Sequence, residues 1–167
     1  TASETSAGFM AEAVGRLTGI PGVCVSTVGP GATNLATGVG CAYLDRSPVI
    51  AITCDYSTRQ IGRRTQMWID HQVLFSVISK SSRQLTQGTV ASSIADAISL
   101  ATSEPPGPVH LDFPEDVGDS VTTEMPALAV TKKSQPNCPS DLAQCLQELI
   151  ARASRPLVVT GLSFTRT

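Results

Sequence analysis

Three apolar, β-branched runs set the strongest limit on how this chain can fold: residues 22–28 (GVCVSTV), 48–54 (PVIAITC) and 107–114 (GPVHLDFP). None alternates apolar with polar residues as a strand with one wet face does, so each is predicted to be a strand buried on both faces. Helix-like text separates them. Residues 4–17 carry Phe9, Met10, Val14 and Leu17 near helical spacing beside a small-residue face of Ala7, Gly8 and Ala11, and Gly19 and Pro21 stop the run. Residues 32–44 read as an Ala- and Gly-rich helix able to pack closely on a sheet, 73–78 as a short apolar helix, and 89–102 as a helix with Val90, Ile94, Ile98 and Ala101 inward. A further short strand at 82–86 has edge character. Strands alternating with helices in this way specify an α/β fold: a doubly wound, mostly parallel sheet with helices on both faces.

The pattern lapses twice. Residues 57–72, after the second strand, are polar and irregular, at the place where ligands gather outside the carboxyl ends of parallel strands. Residues 115–140 contain several prolines and mixed charge, and read as an extended linker. Ser140-Asp141 then offers a helix cap for LAQCLQELIARA, followed by a strand at 156–161 (PLVVTG). The expected organisation is a first domain at 1–117 lacking its N-terminal start, a linker at 118–139, and the truncated beginning of a second α/β domain at 140–167. The chain opens in helical text and closes on a strand, so both ends read as cut from a longer polypeptide.

Composition narrows the function classes. The net charge is -2, and the basic residues cluster only as the pairs Arg63-Arg64 and Lys132-Lys133, so a nucleic-acid surface is not expected. The five cysteines, Cys24, Cys41, Cys54, Cys138 and Cys145, lack CxxC spacing, which favours free thiols in a reducing compartment and predicts no metal site in this chain. No apolar run reaches the ~18 residues of a membrane span, and the N-terminus lacks a signal-like pattern. A cytoplasmic protein is expected, with organellar import open if a targeting segment precedes these residues.

The stretch STVGPGATN, residues 26–34, joins the first strand to the second helix. It has neither the Lys-Ser/Thr ending of a P-loop nor the third glycine of a dinucleotide fingerprint. Gly29 and Gly31 permit backbone conformations closed to other residues, and Pro30 stiffens the turn between them. Such a turn suits a flat ring lying close to the backbone; a plain strand-to-helix turn is the competing reading.

Glu4 leading ETSAGFMAEAVGRLTGIPGVCVSTVGPGATNLATGVGCAYLDRSPVIAITC, then the polar loop, IDHQVLFSVISK and GPVHLDFPEDV, resembles in order the pyrimidine-binding domain of thiamine-diphosphate enzymes. The similarity is greatest to the acetolactate synthase-like group, which also holds the 2-hydroxyacyl-CoA and oxalyl-CoA lyases. The resemblance implies the thiamine-diphosphate-binding fold and an enzyme that forms or cleaves a carbon–carbon bond next to a carbonyl, with a 2-oxo acid or an acyl-CoA as substrate. It gives Glu4 the role of a buried glutamate that hydrogen-bonds ring nitrogen N1′ of the aminopyrimidine. Gly29 and Pro30 would pack against the ring, and Asn34 would lie near the reaction centre or a subunit interface. Trp68 would face the substrate or dock the loop on a partner; His71 would serve proton transfer or be a solvated loop histidine. His110 reads as structural, Arg63 and Arg64 as surface residues or contacts for an anionic substrate, and Lys80 carries no assigned chemistry. Thiamine diphosphate is thus the implied cofactor. Its Mg2+ is held in such enzymes by a domain bearing a GDG…N motif, absent from these residues, and some relatives also carry FAD. A second subunit completing the site, in a homodimer or homotetramer, follows. The chain departs from acetolactate synthases at Gln66-Met67-Trp68, where they tend to carry Phe-Gln. The competing class is a non-catalytic α/β binding or regulatory module that kept the fold and lost the reaction.

Overall fold

The structure, a computed structural model, describes residues 1–61, 63, 65–121 and 139–161. Arg64, Lys132, Lys133, Cys138 and most of the expected linker lie outside the described residues. The described residues fall into two units, one on either side of 122–138.

The first unit opens with α1 (Glu4–Thr18), which stops at Gly19 in the left-handed conformation, its N–H bonded to Gly15 O. Next come β1 (Gly22–Ser26), α2 (Pro30–Leu44) and β2 (Val49–Asp55). Then follow α3 (His71–Ser76), β3 (Ser82–Gln84), α4 (Val90–Thr102), β4 (Pro108–Pro114) and the single turn α5 (Glu115–Gly118). The four strands form one parallel sheet in the order β1-β2-β4-β3, with Val25 beside Ile52 and Ile52 beside Leu111. The expected α/β fold is therefore present, and the short β3 sits at the sheet edge.

Period-two alternation divides the strands between two cores. Val49 and Ala51 join Leu35, Val39, Ala42 and Phe75 on one face, whereas Ile50, Val109 and Leu111 meet Ala97, Ala101 and Leu85 on the other. β1 departs from the expectation of two buried faces: Cys24 and Ser26 are buried, but Val23 and Val25 are 62% and 54% exposed. The physical reason is position, since β1 is a sheet edge and α4 covers β4 and β2 instead.

α1 turns its small-residue face inward. Gly8, Ala11 and Gly15 are buried, while Phe9, Met10, Val14 and Leu17 of the apolar stripe are exposed. A Cβ on Gly38 would stand 2.6 Å from Gly8 Cα, so the small residues let the α1 and α2 backbones touch, at a separation large side chains would prevent.

Boundaries moved where a cap was missed. α2 starts at Pro30, a residue whose fixed φ and missing N–H suit a first helical turn. α3 starts at His71 because the Asp70 carboxylate accepts the Val73 N–H at 2.9 Å. Lys80 is structural, its Nζ donating to Ser103 O at 2.7 Å beyond the C-terminus of α4.

In the second unit, α6 (Ser140–Arg152) forms as expected, although it begins at Ser140 with no side-chain cap. The strand expected at 156–161 does not form; among the described residues no neighbouring strand bonds its N–H and C=O groups, and it is exposed. No helix among the described residues is long and apolar enough to cross a membrane.

Candidate functional site

The carboxyl end of β1 and the N-termini of α1 and α2 meet at one place. Glu4, the first residue of α1, accepts a hydrogen bond at Oε2 from Asn34 Nδ2 at 3.2 Å, and Thr5 Oγ1 donates to Asn34 O at 2.8 Å. Oε1 has no hydrogen-bond partner among the described residues and lies 3.5 Å from where a Gly31 Cβ would stand. That missing Cβ would also crowd Thr27 Cγ2 at 2.7 Å and lie 3.6 Å from Ser26 Cβ. A cavity of about 430 Å³ opens here, lined by Glu4, Ala7, Val25, Ser26, Thr27 and Cys54 among others.

Ser26 Oγ, in a residue only 5% exposed, has no hydrogen-bond partner. A buried hydroxyl without a partner is costly, and one on a cavity wall marks a place for a polar atom. The cavity thus combines an unpartnered carboxylate oxygen and an unpartnered hydroxyl, and behind it the bare Gly31 lets Thr27 and Glu4 pack close to the turn. This donor and acceptor set fits a flat ring with hydrogen-bonding nitrogens, such as the aminopyrimidine implied by the resemblance.

The other side of the turn is closed. Gly29 has φ 65°, and a Cβ there would collide with the Met67 carbonyl oxygen, so the polar loop crosses directly over it. Met67 itself is left-handed at φ 63°. Beneath, the Gly29 N–H donates to His71 Nε2 at 3.1 Å, and His71 Nδ1 lies 2.9 Å from Asp112 Oδ1. Thr53 Oγ1 bridges that same carboxylate oxygen and His110 Nε2 at 2.8 Å each, and Ser82 Oγ closes on His110 Nδ1 at 2.7 Å.

Titration follows from these contacts. Burial pushes His110 down to about 4, against the pull of Asp112. For Asp112, hydrogen bonds from His71 and Thr53 outweigh burial and hold its carboxyl below the usual range. Asp55, buried beside the Asp112 carboxylate, is pushed up to about 6. Asp55, His71 and Asp112 place one ligand atom each within 4.8 Å, a grouping a cation could use in principle. Both nitrogens of His71 are engaged by Gly29 and Asp112, however, so a metal would have to break the turn's anchor.

Of the residues expected at the site, Glu4 and Asn34 come together beside Gly31, and Glu4 is half-buried where a buried carboxylate was expected. Gly29 faces Met67 and His71, so its bare side is covered by the loop. His71 is no solvated loop residue: it is 1% exposed at the start of α3, with both ring nitrogens bonded. Trp68 is half-buried, with its Nε1 enclosed and unpartnered, and Arg63 is exposed. Ser26 and the pairing of Thr53 and Asp112 with His110 were missed, whereas His110 is structural as read and Gly31, taken as a turn glycine, lies in the first turn of α2. The signal was present, because three polar side chains in strands expected to be buried on both faces must find one another.

Comparison with known proteins agrees with this geometry. Residues 1–74 match the family model for the N-terminal thiamine pyrophosphate-binding domain of thiamine pyrophosphate enzymes. The chain is 38% identical to a probable acetolactate synthase large subunit of Methanocaldococcus jannaschii, over 96% of its own length and 28% of that protein's. It is 34% identical to the acetolactate synthase of Bacillus subtilis (95% and 28%). Identity to a probable 2-ketoarginine decarboxylase of Pseudomonas aeruginosa is 32% (96% and 30%). The chain therefore spans under a third of the length of these relatives. The four-stranded parallel sheet and these similarities agree on an acetolactate synthase-like, thiamine pyrophosphate enzyme N-terminal domain in this chain.

Proposed function

We propose that this chain supplies the aminopyrimidine side of a thiamine-diphosphate site in an enzyme that forms or breaks a carbon–carbon bond next to a carbonyl. One observation carries the reading: Glu4 lines the cavity with Oε2 held by Asn34 and Oε1 free beside Gly31. When bound, the cofactor supplies a carbon nucleophile and an electron sink that side chains lack. The chain's part is to place protons and exclude alternatives. Glu4 Oε1 would be the group that shares a proton with a ring nitrogen, Asn34 holds the carboxyl through Oε2, and the bare Gly31 lets Thr27 and Glu4 pack against the turn. Ser26 Oγ offers the ring a second polar contact.

The substrate is a 2-oxo acid or an acyl-CoA. Mg2+, the diphosphate and any FAD are assigned to residues outside these 167, since no GDG…N motif occurs among them. A second subunit completes the site, and the exposed Phe9, Met10, Val14, Val23 and Val25 offer it an apolar face. A cytoplasmic or imported organellar location fits this chemistry.

Glu4→Gln in the full-length protein tests the reading, because it keeps the Asn34 contact and removes the shared proton. Turnover should fall by about 10²–10⁴-fold, the usual worth of a positioned acid–base group, while thiamine diphosphate still binds. Near-normal turnover would sink the assignment. A wild-type protein that neither binds the cofactor nor turns over 2-oxo acids would instead be a non-catalytic module.

A further inference from the structure

The hydrogen bonds running from the turn to the far edge of the sheet have only one consistent set of proton positions. The Gly29 N–H can only donate, so His71 Nε2 holds a lone pair and the ring proton sits on Nδ1, facing Asp112 Oδ1. Approached from β3, the chain gives the mirror result. Thr53 gives its one hydroxyl proton to Asp112, so it must accept from His110 Nε2–H. His110 Nδ1 then accepts the Ser82 hydroxyl. The two imidazoles are neutral and hold opposite tautomers, and the donors on both sides converge on one carboxylate. His71, His110, Thr53 and Asp112 are each at most 2% exposed, and Phe75 stacks on His110 at 4.2 Å, so water does not compete for these bonds. Asp55 is the remaining ionisable side chain grouped with His71 and Asp112 among the described residues.

We infer that His71 is a positioning residue for the cofactor turn: Asp112 fixes its Nδ1–H tautomer, and its Nε2 then pins the Gly29 amide and sets where Pro30 and Gly31 stand relative to Glu4. The inference rests on the aminopyrimidine reading of the cavity. It takes His71 out of proton transfer with substrate, because both nitrogens are committed within the fold.

Two measurements test it. In the chain labelled with 15N-histidine, long-range proton–nitrogen correlation near pH 7 should show Nδ1–H at His71 and Nε2–H at His110, both rings neutral. An imidazolium or an Nε2–H tautomer at His71 would overturn the inference whatever the variants do. In the full-length protein, His71→Ala should raise the half-saturating concentration of thiamine diphosphate by about tenfold, the worth of one buried hydrogen bond. Turnover at saturating cofactor should change less. His71→Gln, whose amide oxygen can take the Gly29 N–H, should restore most of the affinity. A His71→Ala protein with wild-type cofactor affinity, or a Gln variant as impaired as Ala, counts against it. If instead the aminopyrimidine reading is wrong, thiamine diphosphate fails to bind the wild type while the tautomers stand unchanged, so the two failures are distinguishable.

Discussion

Gly19 and Gly29 both have a positive φ, 70° and 65°, but Gly19 sits in the left-handed helical well at ψ -1° whereas Gly29, at ψ -110°, lies outside it, and the two differ in what surrounds them. A side chain at Gly19 would meet nothing within 4 Å, so Gly19→Ala should cost only the conformational penalty of about 1 kcal/mol. At Gly29 the added methyl would also strike the Met67 carbonyl, and Gly29→Ala should cost a further 1–3 kcal/mol or so. Urea unfolding of the two variants checks this, and equal losses would mean that the loop does not press on the turn. The sequence made both glycines legible as turn residues. It held no sign of which one lay under another segment, because that depends on a loop some forty residues further on.

At the scale of elements, the contact between α1 and α2 decides where Glu4 lies relative to the turn. Gly8 and Gly38 form that contact, backbone against backbone. Gly38→Ala should therefore destabilise by about 1–3 kcal/mol through overpacking. Gly40, two residues on, has only Ile78 Cγ2 nearby at 3.8 Å, and Gly40→Ala should be neutral or stabilising by up to about 1 kcal/mol. Thermal melts of the pair read the contrast directly; a harmless Gly38→Ala would show that the helices are not in backbone contact. Helix and strand identities were legible from periodicity, since buried runs and 3.6-residue spacing are local properties. The inward face of α1 was not, because hydrophobicity favours Phe9, Met10 and Val14 whereas the close approach of α2 admits only small residues.

For the whole molecule, stability between pH 4 and 6.5 reflects two opposed groups. His110 titrates near 4 in the fold against an ordinary value of 6.5, so the unfolded chain binds more protons in that window and stability rises with pH. Asp55 titrates near 6 against 3.8, so the folded chain binds more protons and stability falls as pH rises from about 4 to 6. The two effects offset each other in the wild type. Asp55→Asn removes the second, and its urea midpoint should climb more steeply than that of the wild type across pH 4.5, 5.5 and 6.5. Parallel profiles would show that Asp55 ionises as freely in the fold as out of it.

Strand and helix periodicity, the GPGATN turn and its distance from Glu4 were fixed by local chemistry, and they were enough to determine an α/β sheet and to point to the corner proposed to face the cofactor. Tertiary structure decided what stands behind that corner. His71, Thr53, His110 and Asp112 come from three elements spread over some sixty residues, and burial forces their polar atoms to pair with each other and with Gly29. The failure of 156–161 to form a strand has the same origin: its apolar residues favour extension, but a strand exists only where a neighbour accepts its hydrogen bonds.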